Sequence, residues 1–249
     1  METRIPQQAA VGGDGGWRDR FHRRAGRHRA ITSVDTGDLG QAAAEALGRS
    51  LSTFQVGESG TGEHLFAAAE AAGVDDDYLD ALGSFVGEEQ EHARLLAVVL
   101  DAMEVPLRSS HWTDRVFVAV RRVKSLRAEV LTLLVAEVIA LRYYSALRDG
   151  IECAPLGEVF ARIHEDEVMH VDFHAETLPV HLHRFSPPVF AIVRLLWNTL
   201  VTVTSILVAL DHTAALRQAG LGRRRFVADV WALRSELDDR LFGGRGPAT

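Results

Sequence analysis

The chain has 249 residues, of which 47% are hydrophobic and 24% charged, so it is long enough and apolar enough to form a well-filled core. Its formal net charge of −7 gives no basis for nucleic-acid binding. The single cysteine, Cys153, excludes an intramolecular disulfide, and no apolar secretory segment follows the N-terminal charges, so we expect a cytoplasmic protein.

The two ends of the chain differ from its middle. Residues 1–35 are rich in glycine and arginine and show no apolar periodicity, which predicts a disordered basic tail. Residues 244–249 include two glycines and a proline and predict a frayed terminus.

Residues 36–185 predict an all-α domain, an up-and-down four-helix bundle. No alternating strand pattern persists there, and alanine, leucine, glutamate and arginine dominate. The predicted helices span about 38–72, 77–103, 114–148 and 155–183. Glycines 57, 60 and 62 weaken the first helix and predict either a kink or a point of close packing.

Residues 186–243 predict two additional C-terminal helices, at about 189–210 and 223–241. The first is strongly apolar over 22 residues, which is long enough for a membrane span. Arg194 and Asn198 interrupt it, and an arginine at the centre of a span costs a few kcal/mol. We therefore favour packing on the bundle or in a homodimer interface and do not expect a membrane span.

Two copies of the pattern Glu-x-x-His occur, one in the second and one in the fourth predicted helix. Residues three apart share a helix face, so each copy directs one carboxylate and one imidazole toward the same point. Each copy follows a further glutamate in the preceding helix, by 31 residues in one case and 30 in the other. Two matched hairpins with these side chains supply the ligands of a dinuclear metal site. The six predicted ligands are Glu58, Glu89, His92, Glu137, Glu167 and His170.

The local sequence around Glu58 and Glu137 bears on whether each is a metal ligand. Glu137 lies inside an apolar run, where a carboxylate without a cation would carry a large desolvation cost. Glu63 competes with Glu58, because five residues turn a helix by about 140° and both cannot point inward. The matched spacing favours Glu58. A donor set rich in carboxylates with two imidazoles suits iron or manganese.

Two acids are candidate partners of the predicted histidine ligands. A ligating histidine usually donates its second N–H to a carboxylate or carbonyl. Asp166 and Glu88 each directly precede the glutamate of a Glu-x-x-His copy. We expect each to reach the histidine of the other hairpin, Asp166 to His92 and Glu88 to His170.

Three further side chains lie near the motifs in sequence. His164 and His174 flank the second copy, and either could be an additional ligand or a proton donor, or a partly buried polar residue. Tyr144 follows Glu137 by one heptad. It could carry a radical, donate a proton or line a substrate pocket, while core packing is the plainer interpretation.

With these residues the chain resembles the ferritin-like diiron-carboxylate superfamily over about residues 38–183. The Asp166-Glu167-x-x-His170 form is similar to that of bacterial multicomponent monooxygenases, acyl-carrier-protein desaturases and diiron N-oxygenases. The resemblance implies two iron ions per chain, held by the four glutamates and two histidines. It further implies O2 as co-substrate, a small organic substrate and an external electron donor such as a reductase or ferredoxin.

The sequence thus predicts a non-haem diiron oxidase or oxygenase, with two alternatives. One keeps the metal and changes the task to ferroxidase and iron storage, manganese catalase or a peroxidase. The chain is longer than a minimal storage subunit and has no Cys-x-x-Cys pair for a rubredoxin-type iron. The other is a non-enzymatic helical scaffold or membrane-associated protein that uses residues 189–210 as its contact surface.

Overall fold

The computed structural model describes residues 16–25, 31–108, 125–182 and 185–243, and all secondary structure in these ranges is α-helical. The predicted all-α fold is confirmed. Of the predicted tails, residues 1–15, 26–30 and 244–249 lie outside the described residues. In chain order the helices are α1 (Trp17–Arg24), α2 (Gln41–Glu58), α3 (Glu63–Ala72), α4 (Asp76–Ala102), α5 (Leu126–Gly150), α6 (Ala154–Leu182), α7 (Pro187–Asp211), α8 (Thr213–Gln218) and α9 (Arg223–Phe242).

A four-helix bundle forms the centre of the molecule. It consists of α2 with its continuation α3, then α4, α5 and α6, with α5 packed along α6 and α2 along α4. Fully buried side chains such as Leu95, Leu134 and Phe160 fill the space between these helices. Each contributes about 2 kcal/mol of burial free energy, so packing holds the four backbones in a fixed register.

The predicted first helix is divided in two. α2 ends at Glu58 and α3 begins at Glu63, because Gly62 takes a φ of 71° in the left-handed region. A Cβ at Gly62 would lie 2.8 Å from Cγ2 of Val86, so glycine also permits the close approach of the turn to α4. The two competing glutamates therefore lie on opposite sides of a turn.

The described part of the predicted third helix begins at an N-cap. Ser125 is extended, with φ −147° and ψ 140°, and its side chain accepts a hydrogen bond from the backbone N–H of Ala128. An N-cap of this kind starts a helix, so α5 begins at Leu126. The earlier part of the prediction, residues 114–124, lies outside the described residues.

Part of the predicted disordered tail is helical, which corrects the sequence-based expectation. In α1, Phe21 is fully buried and its ring centroid lies 5.4 Å from that of Phe173 on α6. Trp17 lies 5.3 Å from the same ring. An eight-residue helix has little stability of its own, so docking on the bundle, which no local pattern reveals, holds it in place.

The C-terminal helices pack on the bundle and on one another. α9 contacts α5, α6 and α7, and the guanidinium of Arg194 and the amide of Asn198 on α7 both donate to the carboxylate of Asp238 on α9. In the described part of the chain, α5 and α7 are long and apolar enough to cross a membrane. The most apolar 18-residue window is 83% buried in α5 but only 17% buried in α7, so α7 contacts the bundle along one side and exposes most of that window.

Replacing Phe21 by alanine tests whether α1 is docked in solution. We expect Phe21→Ala to lower the free energy of unfolding by about 3 kcal/mol, since a buried aromatic side chain is lost. Arg23→Ala, on the exposed side of the same helix, serves as the control and should change it by less than about 0.5 kcal/mol. Urea denaturation followed by circular dichroism measures both. Equal stability of the two variants would contradict the docking of α1.

Candidate metal centre

All six predicted ligands meet in the middle of the bundle. They form two overlapping groups of four, and in each group one ligand atom per residue lies within 4.8 Å of the others. Two glutamates, one from α4 and one from α6, belong to both groups and so occupy bridging positions. The first group is Glu58, Glu89, His92 and Glu167, and the second is Glu89, Glu137, Glu167 and His170.

Both imidazoles present Nδ1 to the carboxylates. Nδ1 of His170 lies 3.1 Å from Oε1 of Glu89 and 3.4 Å from Oε2 of Glu137. Nδ1 of His92 lies 3.6 Å from Oε1 of Glu89 and 3.5 Å from Oε1 of Glu167. Each ring therefore has one nitrogen at the cluster and the other directed away from it.

The nitrogens directed away contact the two acids expected from the sequence. Nε2 of His92 lies 3.3 Å from Oδ2 of Asp166, and Nε2 of His170 lies 3.0 Å from Oε2 of Glu88. An Nε2–H that donates to a carboxylate leaves Nδ1 unprotonated, with its lone pair directed at the cluster. The acids thus select the tautomer that can bind a cation.

Arg24 adds a contact that the sequence did not suggest. Its Nη2 donates to Oδ1 of the fully buried Asp166 at 2.7 Å. This charge-assisted bond holds Asp166 against His92 from the side opposite the ring. Sequence reasoning missed Arg24 because it lies in the segment predicted to be disordered, and its contact crosses 142 positions of the chain.

Tyr144 contacts one of the candidate ligands directly. Its hydroxyl donates to Oε1 of Glu58 at 3.0 Å, and its side chain is fully buried. Burial and, next, the charge of Glu58 raise the pKa of Tyr144 well above its usual value, so the hydroxyl keeps its proton. A role as a radical carrier remains a prediction.

A polar network that sequence reasoning also missed lies behind Tyr144. The ring of Tyr143 is 5.5 Å from that of Tyr144, and its hydroxyl lies 2.5 Å from Oγ of Ser50. The same Oγ lies 2.6 Å from Nδ1 of His212, at the junction of α7 and α8. These buried groups tie the C-terminal helices to the part of the bundle that supports Glu58.

The remaining predicted side chains lie outside both groups. Glu63 is exposed at the start of α3. His164 places Nδ1 3.2 Å from the carbonyl oxygen of Leu141, and burial lowers its pKa to about 4. His174 is fully buried, its pKa is likewise lowered by burial to about 4, and neither ring nitrogen has a hydrogen-bond partner among the described residues. Its role as an extra ligand or proton donor remains a prediction.

The donor atoms of the cluster fit cations. Most of the buried polar atoms that lack a hydrogen-bond partner among the described residues are directed into it. Burial and neighbouring carboxylates raise the pKa of Glu58 and of Glu167 well above the usual range, which shows the cost of ionising them without a counter-charge. Carboxylates and imidazoles without thiolate suit iron or manganese. The unpartnered atoms of the cluster are Glu89 Oε1, Glu137 Oε2, both carboxylate oxygens of Glu167, and Nδ1 of His92 and His170.

A matched pair of variants decides between the two glutamates near the α2–α3 turn. We expect Glu58→Ala to lower metal content from about two ions per chain to about one, because it removes a terminal ligand of one group. Glu63→Ala should retain both ions. Elemental analysis after loading measures the content. Loss of metal in Glu63→Ala with retention in Glu58→Ala would contradict the assignment.

Metal affinity should rise with pH. The pKa of Glu167 is raised by burial and neighbouring carboxylates. The pKa of His170 is raised well above its usual value because hydrogen bonds to Glu137, Glu88 and Glu89 outweigh the opposing effect of burial. Bound protons therefore compete with a cation up to a higher pH than at ordinary side chains, and binding releases them. Titration with manganese at about pH 6 and about pH 8 measures this, and an affinity that falls as pH rises would contradict it.

Comparison with known proteins supports the fold. Searches of protein-family models and of curated proteins give no match. Among solved structures, the chain is similar to one described as protein 19 with aldehyde deformylating oxidase activity from Synechococcus. The TM-score is 0.56 and the identity 22%, over 82% of this chain and 92% of that chain. The chain therefore has the fold of a ferritin-like helical bundle.

Proposed function

We propose that the protein is a non-haem diiron oxidase or oxygenase that uses O2 and an external electron donor, such as a reductase or ferredoxin, to oxidise a small organic substrate. The observation that carries this proposal is the pair of ligand groups that share Glu89 and Glu167 inside an apolar bundle. Two iron ions bound there supply the electrons that O2 activation requires.

The arrangement assigns each ligand a task. Glu89 and Glu167, which belong to both ligand groups, would be shared by the two cations. Glu58 and His92 would complete the ligands of one cation, and Glu137 and His170 those of the other. Because the ligands come from four packed helices, the two positions are preorganised.

The partners of the histidines hold the imidazoles in place during the reaction. Asp166 accepts from His92 and is itself held by Arg24, while Glu88 accepts from His170. A carboxylate opposite the cation increases the basicity of the ring and fixes its direction. These contacts support a centre that changes charge without losing its geometry.

Tyr144 provides a proton beside the centre. Its hydroxyl lies 3.0 Å from Oε1 of Glu58, and its raised pKa keeps it protonated at neutral pH. It therefore positions Glu58 by a hydrogen bond in which the tyrosine hydroxyl is the donor. Both properties suit a site where oxygen is reduced and protons are consumed.

Aromatic rings shield the centre from water on the α1 side. The ring centroid of Phe85 lies 4.8 Å from that of His170, edge to face, and Phe21 of α1 lies 6.2 Å from the same imidazole. A dry, low-dielectric wall strengthens the electrostatic contacts of the site and limits side reactions with water.

Anaerobic iron loading followed by mixing with O2 tests the function. We expect about two iron ions per chain, O2 consumption and a transient visible absorption in the wild type. Glu137→Gln keeps the shape of the side chain and removes its charge, so it should bind about one iron ion and lose the O2 consumption and the absorption. Glu63→Gln, at an exposed position, is the control. Because the structural neighbour is described as having aldehyde deformylating oxidase activity, aldehydes are the first substrates to try, with formate release as the readout.

Three outcomes would contradict the proposal. A chain that binds neither iron nor manganese has no such centre. Uptake of many iron ions per chain with no substrate oxidised indicates ferroxidase and storage. Rapid disproportionation of hydrogen peroxide by the manganese-loaded protein, with no reaction of the iron form with O2, indicates a catalase.

A further inference from the structure

The outer side of α7 exposes a long apolar surface. Its apolar side chains lie on one face of the helix and each is 44–66% exposed, with the exposed Thr199 on the same face between Leu196 and Val203. We call this surface the α7 strip. It consists of Ile192, Leu195, Leu196, Val203, Ile206 and Leu210.

No charged side chain interrupts the α7 strip. Arg194 is the only charged residue between Pro187 and Leu210, and its guanidinium binds Asp238 on the neighbouring helix. The six side chains of the strip expose roughly 600 Å², whereas monomeric soluble proteins seldom show a contiguous apolar patch above a few hundred Å². The size of the strip indicates that another surface covers it.

A second exposed row runs beside the strip on α9. The two helices are antiparallel, since Arg194 bonds Asp238 at one end and Leu210 lies beside Arg223 at the other. Positions 224, 231 and 239 are exposed and share one side of α9. These positions are Arg224, Trp231 and Asp239, so the row is basic at one end, aromatic in the middle and acidic at the other end.

The two rows have the same centre. Arg224 and Asp239 are 15 residues apart, about 22 Å along the helix, with Trp231 midway. The contacts between α7 and α9 place Trp231 at about the level of residue 201, which is the midpoint of the strip from Ile192 to Leu210. A single twofold axis that crosses both helices at right angles at this level would therefore pair each row with its own copy in a second molecule.

We propose that a second copy of this chain covers the α7 strip, in a twofold dimer with α7 antiparallel to its counterpart. The axis brings Ile192 opposite the partner subunit's Leu210. It also places the Arg224 end of each α9 at the level of the acidic Asp239 end of the other. A twofold interface needs a surface that is complementary to itself. The α7 strip meets this requirement because no charged side chain interrupts it, and the row on α9 meets it because its two ends have opposite charges.

The area and the charges favour a protein partner over a lipid surface. With Trp231 included, each copy contributes about 700 Å², close to the roughly 800 Å² per partner of a standard interface. A helix that lies on a membrane is typically flanked by cations, which bind anionic headgroups. Here the exposed arginines 223–225 lie at one end of the flank only. Asp239 at the other end would repel such headgroups, whereas a partner's basic end attracts it.

Sedimentation velocity over a range of protein concentrations tests the dimer. We expect the wild type to be dimeric and Val203→Glu to be monomeric, because carboxylates would be buried on both sides of the axis. Leu107→Glu changes an exposed leucine (55% exposed) outside the strip and should leave the dimer intact. Circular dichroism confirms that each variant is folded. A wild type that is monomeric throughout, or a dimer that survives Val203→Glu, would overturn the proposal.

Charge reversal tests the antiparallel arrangement. Arg224→Glu and Asp239→Arg should each weaken the dimer at least about tenfold, since each places like charges opposite one another, and the double variant should recover most of the loss. Failure of the double variant to recover would overturn the arrangement. Binding of the wild type to phosphatidylcholine–phosphatidylserine vesicles, abolished by Val203→Glu, would assign the strip to a lipid surface and overturn the dimer.

Discussion

The burial of four carboxylates in an apolar helical bundle is the constraint on which the rest of the structure depends. Carboxylates at this separation repel one another, and burial removes the water that would otherwise screen them. Two histidines share the cluster, each with Nδ1 directed inward. Only added positive charge satisfies this arrangement, so the helix packing that brings the glutamates together also creates the demand for cations.

Much of the centre could be predicted from the sequence because helical hairpins are regular. The spacing within Glu-x-x-His and the distance to the upstream glutamate depend on the rise and turn of a helix, which vary little. The same regularity located Asp166 and Glu88 beside the histidines of the opposite hairpins. The choice between Glu58 and Glu63 was harder, because the spacing assumed one continuous helix. That helix is interrupted by the turn at Gly62, which lies between the two glutamates.

The parts that sequence reasoning missed are long-range contacts of groups with ordinary local surroundings. α1 is short, and docking against α4 and α6 gives it a stable conformation. Ser50 and His212 are separated by 162 positions, and neither belongs to a recognisable motif. The surface that covers α7 was left open for a related reason, because an apolar helix looks the same in sequence whichever surface covers it.

The contact between Arg24 and Asp166 has a practical consequence for truncated forms of the protein. A fragment that starts at the bundle boundary suggested by the sequence, residue 36, keeps every candidate ligand but loses the arginine that holds Asp166 against His92. Such a fragment can fold and still hold the imidazole of His92 less firmly, because Asp166 has lost its bond to Arg24. A negative assay on the isolated bundle would therefore say little about the intact chain, and a proteolytic cut after α1 would alter the centre without touching any ligand.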